Sequence, residues 1–236
     1  MQDLVRSRMS RARTRPPFEC IALLLQGGGA LGSYQAGVYE ALSESNLHPD
    51  WVAGISIGAI NSAIIAGNPP EQRVAKLRAF WEAITANPLF DWAAATELFA
   101  PKGDVARSAF NQMSAAWAMF GGAPGFFALR QPAPWLQPGG CLEATSFYET
   151  KLLKATLEQL VDFDRINSAE MRFSVGAVNV RTGNFVYFDN TTREIRPEHV
   201  MASGSLPPGF PAIEIEGEHY WDGGLISNTP LQLVVD

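Results

Sequence analysis

The amino-acid sequence predicts an α/β protein whose first strands run parallel in one sheet. Two short apolar runs, residues 21–25 and 51–55, have the length and composition of strands that are buried on both faces. Each run is followed by a segment with helical periodicity, over residues 32–46 and 57–67. Because strand–helix–strand units are right-handed in nearly all cases, the carboxyl ends of both strands are expected on one rim of the sheet.

Further helices and strands are predicted along the rest of the chain. The apolar spacing favours helices over residues 72–86 and 145–160. Residues 173–188 contain two strand-like runs around a tight turn, and residues 213–221 resemble a second, shorter hairpin. The second hairpin would place Asp222 at the end of a strand.

Composition divides the chain into a basic tail and one globular domain. Residues 1–17 contain five Arg and one Asp, whereas the remaining residues carry a net charge of −10, and the total is −6. The tail lacks apolar periodicity and is predicted to be a disordered arm, which leaves residues 18–236 as the domain. An acidic domain argues against nucleic-acid binding, which needs clustered Lys and Arg on the folded part.

An apolar insertion interrupts the predicted α/β pattern. Residues 87–142 are rich in Trp, Phe, Met, Gly and Pro without a clear period, and this composition suits an irregular packed insertion and an apolar lid for acyl chains equally. The insertion and the basic tail are the two expected places of peripheral membrane contact. No secretory-type apolar run precedes Glu19, so the expected location is cytoplasmic. Cys20 and Cys141 are far apart and indicate neither a disulfide framework nor a metal site.

A serine flanked by glycines follows the second predicted strand. The stretch Gly54-Ile55-Ser56-Ile57-Gly58 lies where a strand turns into a helix, the context that a nucleophile elbow requires. Gly54 and Gly58 fit this interpretation because a sharp turn leaves no room for side chains beside the serine. The start of the following helix would also favour a developing negative charge.

Two more glycine-rich motifs are expected near Ser56. Gly27, Gly28 and Gly29 end the first strand on the same rim, and their backbone amides could approach a substrate oxygen closely because no Cβ shields them. Asp222 precedes two glycines, so a carboxylate on a short turn could accept the Ser56 proton if burial raises its pKa.

The order of the glycine triplet, the serine elbow and Asp222-Gly223-Gly224 resembles the patatin-like phospholipase family. The stretch 202–211, with its Ser, Gly and Pro residues, is also similar to the family pattern, and its Ser203 and Ser205 are interpreted as loop hydroxyls. The resemblance covers residues 20–236, although the insertion contributes no motif. It departs from the family at Gln26, where Asp is frequent, and at Leu31, where Arg or Lys is frequent.

The resemblance implies a three-layer α/β/α sandwich with a mostly parallel central sheet. It also implies a cofactor-free lipid acyl hydrolase in which Ser56 attacks an ester carbonyl, Asp222 takes the serine proton, and the amides of residues 27–29 hold the oxyanion. The partner is then a lipid or another acyl ester. Since similar domains generally continue beyond the position of Asp236, the chain is interpreted as C-terminally truncated.

Three other interpretations remain open at this point. Residues 27–32 also fit a dinucleotide-binding fingerprint, but the acidic ribose partner expected at the end of the second strand is replaced by Ser56. A triad could form from His199 or His219 with one of three carboxylates, Asp162, Asp164 or Asp189, although no histidine follows Asp222. A lipid-binding protein without catalytic activity, on the same fold, is the third alternative.

Overall fold

The computed structural model describes residues 15–86 and 118–235, together with residues 103, 104, 108 and 112. Its centre is a six-stranded sheet, and a separate two-stranded sheet lies outside it. The strands are β1 (Ala22–Leu25), β2 (Trp51–Ile55), β3 (Ala128–Leu129), β4 (Tyr148–Glu149), β5 (Arg172–Asn179), β6 (Phe185–Asp189), β7 (Ile213–Ile215) and β8 (Glu218–Asp222).

The central sheet is mixed. Strands β1, β2 and β5 are parallel neighbours in that order, whereas β6 and β8 both pair antiparallel with β5, and β7 pairs antiparallel with β8. Strand β6 takes one edge of β5, while β2 and β8 share the other. The prediction of a mostly parallel sheet therefore holds for β1, β2 and β5 only. The segments 173–188 and 213–221 form hairpins, which join antiparallel strands.

The longer helices follow the sequence pattern, although one starts later than predicted, and the helices at 163–167 and 197–203 were not predicted. They are α1 (Gly32–Glu44), α2 (Ile57–Ala66), α3 (Pro70–Thr85), α4 (Lys151–Leu160), α5 (Phe163–Asn167), α6 (Pro197–Ser203) and α7 (Leu231–Val235). The first three begin and end within two residues of the predicted bounds. Helix α4 begins six residues later than predicted, since residues 142–145 form a 3₁₀ turn and residues 148–149 pair with β3.

The core is built around helix α2. All ten of its residues are buried, and it packs against the sheet face that carries Val52, Phe173 and Val175. This explains why the segment is apolar on every side instead of along one stripe. Burial of a single Ile or Phe side chain contributes about 1.5–3 kcal/mol. The helix that follows Ser56 is therefore anchored rigidly to the sheet.

The predicted tail and insertion are only partly described. Residues 1–14 and most of 87–117 lie outside the described residues. Arg15 belongs to the predicted tail but forms an ion pair with Asp50, whose carboxylate also accepts the amide of Ile21 at 2.8 Å. Its position is therefore set by a contact that the composition of the tail did not reveal.

The described part of the insertion and the β4 region that follows it pack on the loop after α6. The amides of Phe147 and Tyr148 donate to the carbonyls of Pro208 and Gly209, at 3.0 and 2.9 Å. Aromatic rings from the insertion, β4 and this loop form one cluster, made of Phe126, Phe127, Tyr148 and Phe210. Within the described ranges, no helix has the length and apolar character needed to cross a membrane.

Candidate active site

Two strands end against each other on one edge of β5. Strand β2 runs parallel to β5, and its last residue, Ile55, pairs with Gly176. Strand β8 runs antiparallel along the same edge, and its last residue, Asp222, pairs with Ala177, the next position of β5. Because Ser56 follows Ile55 directly, the serine and Asp222 meet where the two strands end.

The elbow around Ser56 has the sharp geometry that the sequence predicts. Ser56 has φ 56° and ψ −127°, a strained conformation for a residue with a side chain, and one that typically costs about 1–3 kcal/mol. A Cβ on Gly58 would lie 2.0 Å from the carbonyl oxygen of Leu25, and a Cβ on Gly54 would lie 2.4 Å from the carbonyl oxygen of Gly58. Both positions therefore require glycine.

Asp222 is buried beside the Ser56 hydroxyl. Its side chain accepts the Gly224 amide at 2.7 Å, and the Ser56 hydroxyl lies close enough to lower the pKa of the carboxyl group. Burial raises the pKa of Asp222 above its ordinary value, and these two hydrogen bonds oppose the rise without cancelling it. A carboxylate with a raised pKa is a stronger base than one in water, which suits it to accept a proton from Ser56.

The glycine loop lies against the serine, but its three amides are not equivalent. The Gly27 amide donates to the carbonyl of Asn228 at 3.1 Å, so it is already engaged. The amides of Gly28 and Gly29 donate to no other described residue, and both glycines are exposed. Of the three predicted oxyanion donors, Gly28 and Gly29 remain available.

Asn228 holds the glycine loop in place and was not identified from the sequence. Its side-chain amide donates to the Gly27 carbonyl at 3.1 Å, so the two residues are joined in both directions. A Cβ on Gly27 would lie 2.2 Å from Asn228 Oδ1 and 3.1 Å from Ser56 Cβ. This close approach explains why Gly27 is needed. In the sequence, the stretch 228–230 resembles only the start of a helix, and it gives no indication of this contact.

Gln26, one of the two departures from the family pattern, joins the same region. Its side-chain carbonyl accepts the Thr229 hydroxyl at 3.2 Å, and its backbone carbonyl accepts the Gln35 side chain at 2.7 Å. A neutral side chain at this position thus links the first strand to the segment after Asp222.

The histidines of the triad interpretation have other surroundings. His199 is buried in α6, where its Nδ1 accepts the Arg196 amide at 2.9 Å and its ring packs on Phe188. His219 lies within β8, paired with Glu214. The carboxylates of that interpretation bind elsewhere: Asp189 accepts Arg172, Ser174 and Thr191, and Asp162 caps α5. Neither histidine is hydrogen-bonded to Ser56 in the described part of the chain.

His199 is expected to make the fold sensitive to acid. Burial lowers its pKa from 6.5 to about 4, so the unfolded chain takes up a proton at higher pH than the folded one. The stability that depends on neutral His199 is present above pH 6.5 and is lost as the pH falls towards 4, to a total of about 3 kcal/mol. Urea unfolding at pH 7 and pH 4.5 measures this loss.

His199→Gln is the control for this prediction, since glutamine does not titrate. The difference in unfolding free energy between pH 7 and pH 4.5 should be smaller in His199→Gln than in the wild type. Equal pH dependence of the two proteins would contradict the assignment of the effect to His199.

Comparison with known proteins decides the family. The model of the patatin-like phospholipase family matches residues 23–235, which include the glycine loop, the serine elbow and Asp222. The chain belongs to the patatin-like phospholipase family. Its α/β fold is therefore the one predicted from the sequence, and the dinucleotide-binding interpretation is left without support, since Ser56 follows β2 where an acidic residue would be needed.

Curated relatives match short stretches of this patatin-like chain. It is 48% identical over 46 residues to lysophospholipase nte1 of Aspergillus terreus, which covers 20% of the chain and 3% of the relative. It is 40% identical over 52 residues to triacylglycerol lipase SDP1L of Arabidopsis thaliana, covering 22% and 6%. Patatin-like phospholipase domain-containing protein 7 of Rattus norvegicus is 43% identical over 60 residues, covering 25% and 4%. The matched stretches thus span less than a tenth of the length of these relatives.

Among solved structures, VipD from Legionella pneumophila is similar to this chain with a TM-score of 0.46 and 16% sequence identity. The similarity covers 89% of the chain and 47% of VipD.

Proposed function

We propose that this patatin-like domain hydrolyses carboxylic esters of lipids through an acyl-enzyme on Ser56, with Asp222 as the base. The observation that carries the proposal is the meeting of a strained serine elbow with a buried carboxylate of raised pKa. The names of the relatives include a lysophospholipase and a triacylglycerol lipase, which are consistent with lipid ester substrates.

In the acylation half of the reaction, the Ser56 oxygen attacks the ester carbonyl carbon while its proton passes to the Asp222 carboxylate. The negative charge that develops on the carbonyl oxygen is stabilised by the amides of Gly28 and Gly29 and by the start of α2. When the tetrahedral intermediate collapses, the alcohol leaves with the proton from Asp222. The acyl group remains as an ester on Ser56.

The deacylation half repeats these steps with water. Asp222 takes a proton from a water molecule as its oxygen attacks the acyl carbon, and the same two amides hold the second oxyanion. Collapse of this intermediate returns the proton to the Ser56 oxygen and releases the carboxylic acid. No group beyond the described side chains and water is required.

The surface around the dyad supports a lipid substrate. Three segments flank the site, residues 20–39, 199–213 and 223–235, and none of them contains Asp, Glu, Lys or Arg. We call five of their exposed apolar side chains the uncharged rim: Leu31, Tyr34, Leu206, Leu225 and Ile226. Contiguous exposed apolar surface next to a site is a mark of lipid or apolar ligand contact.

Active-site labelling of the full chain tests the proposal. A fluorophosphonate probe is expected to modify the wild type, and mass spectrometry of a digest should locate the adduct on the peptide that contains Ser56. A chain-length series of p-nitrophenyl esters then reports acyl preference. An adduct on another residue would refute the assignment of the nucleophile, and vesicle binding without labelling or hydrolysis would favour the lipid-binding alternative.

Leu31→Glu is expected to lower the hydrolysis of lipid vesicles much more than the hydrolysis of soluble esters. Leu31 is 75% exposed within the uncharged rim, so burying its side chain in a lipid surface would contribute up to about 1.5–3 kcal/mol. A glutamate there should lower hydrolysis of phosphatidylcholine vesicles by about 10-fold. We expect a far smaller change with p-nitrophenyl butyrate, which needs no lipid surface.

Leu152→Glu is the matched control for the rim. Leu152 is also exposed but lies in α4 between Lys151 and Lys154, outside the three uncharged segments. Vesicle hydrolysis should be close to that of the wild type in this variant. If both variants lose the same activity on vesicles, the uncharged rim has no special role.

A further inference from the structure

The ladder of hydrogen bonds between β2 and β5 is incomplete where β2 ends. In a parallel ladder, alternate residues of one strand accept from the amide that follows their partner, and the bond from the Arg172 amide to the Asp50 carbonyl places Gly176 among these acceptors. Since Ile55 pairs with Gly176, the next rung would join the Ser56 amide to the Gly176 carbonyl. The chain turns away at Ser56 to form the elbow, and among the described residues no direct hydrogen bond joins this donor to this acceptor. The Gly176 carbonyl is buried and the Ser56 amide is partly buried, so leaving either one unpaired is costly.

The hydroxyl of Ser203 fills this gap. The Ser56 amide donates to Ser203 Oγ at 3.0 Å, and the Ser203 hydroxyl donates to the Gly176 carbonyl at 2.6 Å. A hydroxyl can accept and donate at the same time, which few other small side chains can do. Ser203 is fully buried at the end of α6, so water does not compete for either bond.

The same short segment also holds the backbone of the base. The Asp222 amide donates to the carbonyl of Ser205 at 3.0 Å. The end of α6 therefore contacts the main chain of both members of the dyad, on the two sides of the point where β2 and β8 end. A shift of this segment would change the separation between Ser56 and Asp222.

From these contacts we infer that Ser203 is a positioning residue, whose hydroxyl holds the strained elbow so that the Ser56 oxygen faces Asp222. This inference rests on the proposed function of the dyad. It corrects the interpretation of Ser203 as a loop hydroxyl, because its side chain lies in the last turn of a buried helix and bonds to the nucleophile's own amide.

Ser203→Ala and Ser174→Ala form a matched pair for the test. Ser174 is a fully buried hydroxyl on β5 that also joins a donor, Trp51 Nε1, to an acceptor, the Asp189 carboxylate. The two variants should lose similar stability in urea. Only Ser203→Ala should lose kcat for p-nitrophenyl butyrate, by about 10- to 100-fold with little change in KM, because misplacement of the nucleophile acts on the chemical step.

Two further measurements separate positioning from general damage. Ser203→Thr, which restores the hydroxyl, should recover most of the lost kcat. Amide hydrogen exchange of Ser56, followed by NMR, should become faster in Ser203→Ala than in Ser174→Ala, and this readout does not depend on activity. Should Ser203→Ala not fold, Ser203→Cys offers the same comparison with a weaker donor and acceptor.

The outcomes distinguish this inference from the proposed function. An active, labelled wild type with equal kcat in Ser203→Ala and Ser174→Ala would overturn the positioning role alone. Unchanged exchange of the Ser56 amide in Ser203→Ala would overturn it as well, whatever the activity. A wild type that is neither modified by the probe nor able to hydrolyse esters would instead refute the proposed function. The exchange measurement would still show whether Ser203 protects the Ser56 amide.

Discussion

Asp222→Asn is expected to lower kcat for p-nitrophenyl butyrate by about 10⁴-fold, as loss of a catalytic carboxylate does in other serine hydrolases. The amide cannot accept the Ser56 proton, so acylation loses its base. Ser56→Ala, which lacks the nucleophile, gives the background rate of hydrolysis for this measurement. Activity in Asp222→Asn close to that of the wild type would contradict the role of Asp222.

The same substitution should not weaken the fold. Burial raises the pKa of Asp222, which means that the folded chain holds this proton more tightly than the unfolded chain does. The charged carboxylate therefore reduces stability at neutral pH, and this cost disappears as the pH falls through its raised pKa. Asn has no charge to bury, so the free energy of unfolding at pH 7 should be equal to or higher than that of the wild type.

Asp189→Asn is the matched control and should show the opposite pattern. Although burial raises its pKa, the hydrogen bonds from Ser174, Thr191 and Arg172 outweigh this effect and lower the pKa of Asp189 overall. Its charge therefore stabilises the fold above its ordinary pKa, and this stabilisation is lost as the pH falls. Asp189→Asn should lower the urea midpoint at pH 7 while kcat stays near that of the wild type.

The contrast between these two carboxylates is not visible in the sequence. Both follow apolar, strand-like segments, and Asp189 was one of the carboxylates open to a triad. What separates them is their partners: Asp189 is surrounded by hydrogen-bond donors, whereas Asp222 has the Gly224 amide and the Ser56 hydroxyl. Ser174 and Arg172 lie on another strand and Ser56 on a distant elbow, and local periodicity carries no information about such partners.

Local features of the site could be predicted because each one rests on a short stretch of chain. The elbow at Ser56 needs glycines on both sides and a strand–helix junction, and all of these are readable from residues 51–67. The bounds of α1, α2 and α3 could also be predicted, because apolar spacing directly indicates which residues share a helix face.

The features that depend on strand pairing could not be predicted. The end-to-end meeting of β2 and β8 requires a specific register on β5, in which Gly176 and Ala177 take different partners. Apolar alternation gives the period of a strand and the faces of its residues, but not the strand beside it. The contacts of Ser203 and Asn228 follow from that register, so their roles became visible only in three dimensions.

The hydrogen bond that occupies the Gly27 amide also depends on a tertiary contact. Nothing in a triplet of glycines distinguishes its first amide from the other two. Only the return of the chain after Asp222 brings Asn228 against Gly27 and occupies its amide. The sequence thus predicts three candidate donors, and this tertiary contact leaves two of them, Gly28 and Gly29, unengaged.

Gly58→Ala is expected to give the largest loss of stability of any single methyl addition near the site. The new Cβ would lie 2.0 Å from the Leu25 carbonyl oxygen and 2.7 Å from that of Gln26, both of them backbone atoms that cannot rotate away. Either α2 or the end of β1 must move, which should cost about 3 kcal/mol or more in the free energy of unfolding. Any folded fraction should also have lost esterase activity, since the same movement displaces Ser56 and the glycine loop.

Gly37→Ala provides the comparison that isolates this steric effect. Gly37 is also a helical glycine, but it is exposed in α1 and a Cβ there would have no neighbour within 4 Å. Alanine at this position should therefore raise the free energy of unfolding by about 0.5–1 kcal/mol, through helix propensity and a less flexible unfolded chain. The two substitutions add the same atom, so opposite signs in urea unfolding would assign the requirement for glycine at position 58 to the contact between α2 and β1. A loss at Gly58 no larger than a few tenths of a kcal/mol would mean that the elbow can relax, and the rigidity on which the Ser56–Asp222 geometry depends would be absent.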